Sequence, residues 1–383
     1  MEPYLPNYLK GKNRRLVFDL LRERGQMSRA EITRDTGMSF PTAMKVVDAF
    51  LEKGLLVELD ETGPAAGAGR KGRLLRFEPG AYRAVGVECE GRFARVGLAD
   101  MAGGVQARET IELGDFARTR DLSPLAAAIR RMCAAANGAP VLGVCIGFPA
   151  NLDPDAAAIV SYAAMDIQQP TSFAQVFPAF WREVELPVYL ENDANLACEG
   201  EAFLRRGAGG AANMLYLSIG SGCGGAGRLD GKLRRGARCR AGEVGAMLLQ
   251  PALGAPGRSA ARETLEDAVC LAALERRFGA ALRDGAQPGE ASAQAMRDYL
   301  CGPLSGAVYS LVMTLDVELC VLAGIVPGAL GMQLCTQVSE ALRAALPEST
   351  PVRVEPSVSA DAGVIGAAAT VFERSLDALL GSG

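Results

Sequence analysis

The sequence predicts an α/β protein in two parts: a winged helix-turn-helix over residues 1–78, then a larger two-lobed α/β domain over residues 79–383. Three observations predict it. The first eighty residues hold three short helical patterns followed by two strands. From Tyr82 onward the texture changes to strands, Gly-rich turns and Ala-rich helices in alternation. The charge divides at the same place: residues 1–76 carry fourteen Lys and Arg against ten Asp and Glu, a net of +4, while the rest nets −8. A basic segment on an acidic body is the pattern of a chain whose small part alone meets a polyanion.

In the small part, Asn13–Arg24 places Leu16, Val17, Leu20 and Leu21 on one helical face, and Gly25 ends the helix. Ser28 and Glu31 form a capping box for a second helix reaching Thr36, with Gly37 at the turn. Ser39 is placed to cap a third helix running through Lys53, burying Ala43, Val47, Phe50 and Leu51. Its exposed N-terminal end carries Ser39, Phe40, Pro41, Thr42 and Lys45, the candidate major-groove residues. Leu55–Val57 and Leu74–Phe77 read as strands, and the loop between them ends in Gly69-Arg70-Lys71-Gly72-Arg73. Arg70, Lys71 and Arg73 among glycines suit a wing lying along a phosphate backbone or in a narrow minor groove.

In the large part, strands are expected at 84–89, 93–99, 141–148, 187–190, 214–219 and 320–324, with helices at 196–206 and 361–380. Asp230-Gly231 reads as a tight hairpin turn. Two similar halves appear, each opening with a strand, a Gly-containing turn and a returning strand. This predicts two lobes around a cleft, one of residues 79–193 plus the C-terminal helix, the other of residues 194–360.

Composition excludes several chemistries. The chain has no His, and no two of its ten Cys lie closer than twelve residues, so neither close-pair redox motifs nor zinc knuckles are expected. No metal and no cofactor is expected. No apolar run is long enough to span a membrane and no signal peptide opens the chain, so the expected location is cytoplasmic.

Three blocks stand in order along the large part: Glu191-Asn192-Asp193-Ala194-Asn195, the Gly-rich stretch Gly220–Gly227, and Ala241-Gly242-Glu243-Val244-Gly245. In this order they resemble the ROK family, which groups repressors with sugar kinases on an actin-like fold, and the resemblance runs over almost the whole chain. It implies an actin-like two-lobed domain. It also implies that Asp193, the position of the kinases' base toward a sugar hydroxyl, contacts the ligand with Asn192 and Glu243. Leu265-Glu266 resembles a family Leu-Glu, which adds Glu266. Independently, carboxylates and amides in a closed cleft can serve several sugar hydroxyls at once, while Asn192-Asp193 also suits a plain helix cap.

Three departures from the family pattern bear on activity. Where the kinases have a strand ending in Asp-x-Gly-Gly-Thr-Lys, this chain has Glu88-Cys89-Glu90-Gly91-Arg92-Phe93. An acidic side chain repels phosphate where bare backbone should hold it. Glu88 and Glu90 are therefore read as structural or surface groups. Ala246 replaces the family's His, and residues 249–265 lack its three cysteines. The expectation is a regulator that binds a double-stranded DNA operator as a homodimer, responds to a sugar-like effector, and is not an enzyme. A sugar kinase with an added DNA-binding domain, and a DNA-binding dimer without effector, are the other readings.

Overall fold

A computed structural model describes residues 6–62, 73–206, 210–249, 263–279, 282 and 287–380. The N-terminal unit opens with α1 (Pro6–Arg24), which begins seven residues earlier than its apolar pattern predicts. Its buried face is Val17, Phe18 and Leu21, while Leu16 is 44% exposed. The buried face is rotated from the expected one because α1 packs on two surfaces, its own unit and the C-terminal helix described below. β1 (Gln26–Ser28) leads into α2 (Arg29–Thr36), and the Ser28–Glu31 capping box forms: Ser28 N donates to Glu31 Oε2 at 2.8 Å and Glu31 N to Ser28 Oγ at 3.3 Å. These bonds hold the Glu31 carboxyl below its ordinary pKa.

α3 (Phe40–Glu52) follows, burying Ala43, Val46, Val47 and Phe50. Ser39 stands at its N-cap, but its side chain does not cap the backbone; Ser39 Oγ meets Thr42 Oγ1 at 2.8 Å. β2 (Leu56–Thr62) and β3 (Arg73–Phe77) complete an antiparallel sheet in the order β1-β3-β2.

The first lobe is a five-stranded sheet of β4 (Arg83–Glu90), β5 (Phe93–Asp100), β6 (Val105–Glu112), β7 (Val141–Phe148) and β8 (Val188–Asn192). The order is β8-β7-β4-β5-β6, with β4, β7 and β8 parallel and β5 and β6 returning antiparallel. From it α4 (Asp193–Leu204) leads to the second lobe: β9 (Met214–Ile219), β10 (Cys223–Leu229), β11 (Lys232–Leu233), β12 (Leu319–Ala323) and β13 (Arg353–Pro356). Its order, β11-β10-β9-β12-β13, repeats the topology of the first lobe. The turn between β10 and β11 has Asp230 and Gly231 both at positive φ, as a two-residue hairpin of this hand requires. A 26-residue helix, α5 (Glu290–Leu315), backs the second sheet. Among the described residues no helix is long and apolar enough to cross a membrane.

The closing helix α6 (Ala362–Leu379) packs on β4, β5 and β7 and crosses α4. The crossing is close: a Cβ on Gly200 would stand 1.8 Å from the Ala362 carbonyl oxygen, and one on Gly366 1.9 Å from that of Leu196. Only glycines permit this approach. α4 is also pinned to the second lobe. Its fully buried Glu201 accepts from Val358 N at 2.9 Å and pairs with Arg205 at 2.9 Å, and Arg205 in turn pairs with Glu355.

The N-terminal unit shares a core with α6. Val17, Phe18 and Leu21 belong to one apolar cluster with Phe372, Leu376 and Leu380. Arg14 donates to the Leu380 carbonyl at 2.8 Å, Arg15 pairs with Glu373, and Tyr82 OH donates to the Lys53 carbonyl at 3.0 Å. Arg22 lies between two rings, 5.2 Å from the Phe18 centroid and 4.9 Å from that of Phe203 on α4.

Candidate functional site

The two sheets face each other across a cleft of about 680 Å³. One wall is the end of β4 (Glu88, Glu90), Asn151 and the start of α4 (Asn192, Asp193). The other is the Gly220–Gly225 stretch, the segment Cys239–Glu243, and Glu266. The β8-to-α4 junction forms as it does because Asn192 takes extended backbone and caps the helix: its Oδ1 accepts from Asn195 N at 3.1 Å. Its amide nitrogen donates to the Ala150 carbonyl at 3.3 Å. Asn192 thus lines the cleft while its amide is engaged internally. Glu191, only 2% exposed, accepts from Asn195 Nδ2 at 2.9 Å and from Arg235 Nε of the opposite lobe at 2.6 Å. That ion pair and a second link strap the lobes. In the second, the Asn151 amide, oriented to satisfy both its neighbours, donates to Glu243 Oε1 at 2.6 Å.

The floor of the cleft is acidic. The Asp193 carboxyl is raised to about 6, chiefly by burial, with the bond from Ala194 N opposing the rise and nearby Glu90 adding to it. Burial likewise raises Glu88 to about 7; Arg95 opposes this, and Glu90 and Asp193 add to it. Arg95 is the cation that holds the group, 3.0 Å from Glu88 and 3.4 Å from Glu90. Asp193 Oδ1 accepts from Ala194 N at 2.9 Å. Such a floor offers acceptors to ligand hydroxyls.

The glycine loop between β9 and β10 has the exposed backbone donors that hold phosphate elsewhere. Here one of those donors meets a carboxylate and another, Gly220 N, bonds the Gly222 carbonyl at 2.9 Å. Cys223 N donates to Glu266 Oε2 at 2.8 Å, and a Cβ on Gly222 would stand 2.9 Å from that same oxygen. Across the cleft, Glu90 Oε1 lies 2.9 Å from where a Cβ on Gly220 would be. The loop's glycines thus bring its backbone against the chain's own acids.

The four effector candidates, Asn192, Asp193, Glu243 and Glu266, all line this one cleft. Glu88 and Glu90, read from sequence as structural or surface groups, pair with Arg95 and line the cleft too. Asn151, Arg240 and the Glu191–Arg235 strap carry no signal in the sequence. Arg240 stands just before the third block in no pattern that marks it as a cleft residue, and the strap joins residues 44 apart. On the N-terminal unit, Ser39, Phe40, Pro41 and Lys45 are exposed at the start of α3 and Thr42 is half-buried. Arg73 is exposed and pairs with Glu58 at 3.3 Å. Arg70 and Lys71 lie outside the described residues.

Neither group implied by the family resemblance fits these residues. Zinc would need a His where Ala246 stands and clustered thiols in residues 249–265, which have none. Mg-ATP would need free backbone donors and a phosphate-tolerant turn, where Glu266 and Glu90 now sit.

Comparison with known proteins places the chain. The profile of the ROK family matches residues 84–374. The xylose repressor of Caldicellulosiruptor bescii is 27% identical over 241 residues, covering 62% of this chain and 58% of the relative. The glucokinase of Halalkalibacterium halodurans is 34% identical over 141 residues, covering 35% of this chain and 40% of the relative. The chain thus spans about six-tenths or less of the length of these curated relatives. Among solved structures, a ROK family transcriptional regulator homologous to the E. coli MLC protein superposes with a TM-score of 0.76 at 17% identity, covering 97% of this chain and 98% of that one. The ROK hexokinase of Thermus thermophilus superposes with a TM-score of 0.60 at 25% identity, covering 77% of this chain and 99% of that one.

Proposed function

The chain belongs to the ROK family, and from that premise we propose that it is a DNA-binding transcription regulator, in the manner of a repressor, that senses a sugar or sugar derivative without phosphorylating it. The observation that carries this reading is the occupied glycine loop: Glu266 accepts from Cys223 N, and Glu90 sits beside Gly220. Phosphoryl transfer depends almost wholly on positioning the nucleotide and neutralising developing charge, and a general base cannot replace that. Asp193 then serves as a hydroxyl acceptor in a sensing cleft, with Asn192, Glu243 and Glu266 around it.

The N-terminal unit is read as a winged helix-turn-helix, with α3 in the major groove and Arg70, Lys71 and Arg73 on the wing. Two copies, related by a two-fold axis, would present two such helices to two half-sites. Effector binding would change the lobe straps Glu191–Arg235 and Asn151–Glu243, and α4 and α6 connect those walls to α1.

Two measurements test the ligand side. A coupled assay with Mg-ATP and a panel of sugars and aminosugars should stay at background; robust turnover would establish the kinase reading instead. A thermal-shift panel with the same compounds should show a shift for at least one, weakened in Asp193→Asn. An unchanged shift in that variant would place the effector outside this cleft, and no shift for any compound would favour a DNA-binding dimer without effector.

A further inference from the structure

We infer that Phe40 reads the 5-methyl group of thymine in each half-site. The inference rests on the DNA-binding reading and adds the chemistry by which bases are told apart. Phe40 is the first residue of α3 and is 57% exposed, at the end of the helix that a helix-turn-helix inserts into the major groove. A partner that covers that ring removes apolar surface from water, which favours association in proportion to the area covered. The ring is not alone: Pro41 is exposed beside it and Met44, one turn on, is half-buried.

The alternatives on the same helix are few. Reading guanine takes Arg or Lys, and reading adenine takes Asn or Gln. Between Phe40 and Glu52 there is no Arg, Asn, Gln or His, and Lys45 is the one cation. The hydroxyls at the tip bond each other, Ser39 Oγ to Thr42 Oγ1 at 2.8 Å. Arg29 of α2 is the guanidinium that ion pairs bring to this helix, and it is spread over Asp48 and Glu58, each at 3.4 Å. Lys45 on this helix can still donate to a base, but at the position of Phe40 itself the major-groove feature a phenyl ring can read is the thymine methyl, which apolar side chains contact directly.

The test begins with duplexes enriched from a random pool by the full chain. Each thymine of the enriched site is then replaced by deoxyuridine, which removes the methyl and leaves pairing and hydrogen-bonding groups unchanged. At one thymine per half-site binding should weaken about four-fold, the worth of one buried carbon. Phe40→Ala should weaken binding to the thymine duplex and lose the penalty for deoxyuridine, with an unchanged melting temperature because the ring is exposed. A dC·dG pair placed at that thymine should bind better when the cytosine carries a 5-methyl group. Uniform binding of every deoxyuridine duplex would overturn the inference, as would a penalty that persists undiminished in Phe40→Ala. If no duplex is enriched at all, the DNA-binding reading falls and the inference falls with it.

Discussion

At the scale of residues, the cleft floor gathers Glu88 and Glu90 at the Arg95 guanidinium with Asp193 nearby, and this has a pH consequence. Glu88 and Asp193 have folded-state pKa values raised to about 7 and about 6, above their ordinary values. The unfolded chain therefore releases these protons first as pH rises. Stability conferred by the protonated forms is complete below about pH 4 and is lost between there and about pH 7. The Glu88→Gln, Asp193→Asn double variant should lose less stability between about pH 5 and about pH 8 than the parent, as read by denaturant unfolding at each pH. Equal slopes would remove the burial argument. Glu201 is buried and fully partnered. Glu201→Ala should cost about 1–3 kcal/mol, since it leaves the buried Val358 amide unpaired and takes one of its partners from Arg205, which keeps Glu355. A loss under about 1 kcal/mol would show that the network contributes little. Asp193 is legible in the sequence because its neighbours form a recognisable block. Glu90 is legible as a departure from a phosphate turn but not as a cleft residue, because facing the other lobe's Gly220 is a property of the two sheets together.

At the scale of elements, β4, β5, β7, β8, β9, β12 and the closing helix can be read from alternation and apolar runs, because they are core elements whose pattern is set locally, whereas β6, β10, β11 and β13 are not among the expected strands. α5 escapes such a reading: Gly302, Pro303 and Gly306 interrupt it, and no charge falls between Tyr299 and Leu315 to mark a solvent face. The apolar pattern gives α1 too short and rotated because its phase is set by a partner about 350 residues away in sequence, the C-terminal helix. The α4–α6 crossing has a sharp test. In an ordinary helix Gly→Ala gains up to about 1 kcal/mol. At Gly200 the added carbon would meet a carbonyl at 1.8 Å, so Gly200→Ala should instead destabilise by about 3 kcal/mol, the upper end of overpacking costs. A variant with raised stability in thermal unfolding would show that the helices can part freely.

At the scale of the whole molecule, a small basic unit and an acidic two-lobed body share an apolar core through α1 and α6. The division into parts is visible in charge and texture. The shared core is not, since it joins the two ends of the chain. This architecture suits a sensor, because the rod α4 starts at the cleft with Asp193 and ends near Phe203, whose ring faces Arg22 of α1. Binding of the full chain to duplex DNA is the most direct test of the central claim. Selection from a random pool, followed by anisotropy titration over a range of salt concentrations, should yield a two-fold symmetric site. Its half-sites should lie about one helical turn, or a multiple, apart. Affinity should fall steeply with salt, and Arg70→Ala with Arg73→Ala should reduce that slope by about one for each phosphate no longer neutralised. Enrichment of no sequence, with binding no tighter than to random duplex, would contradict the account.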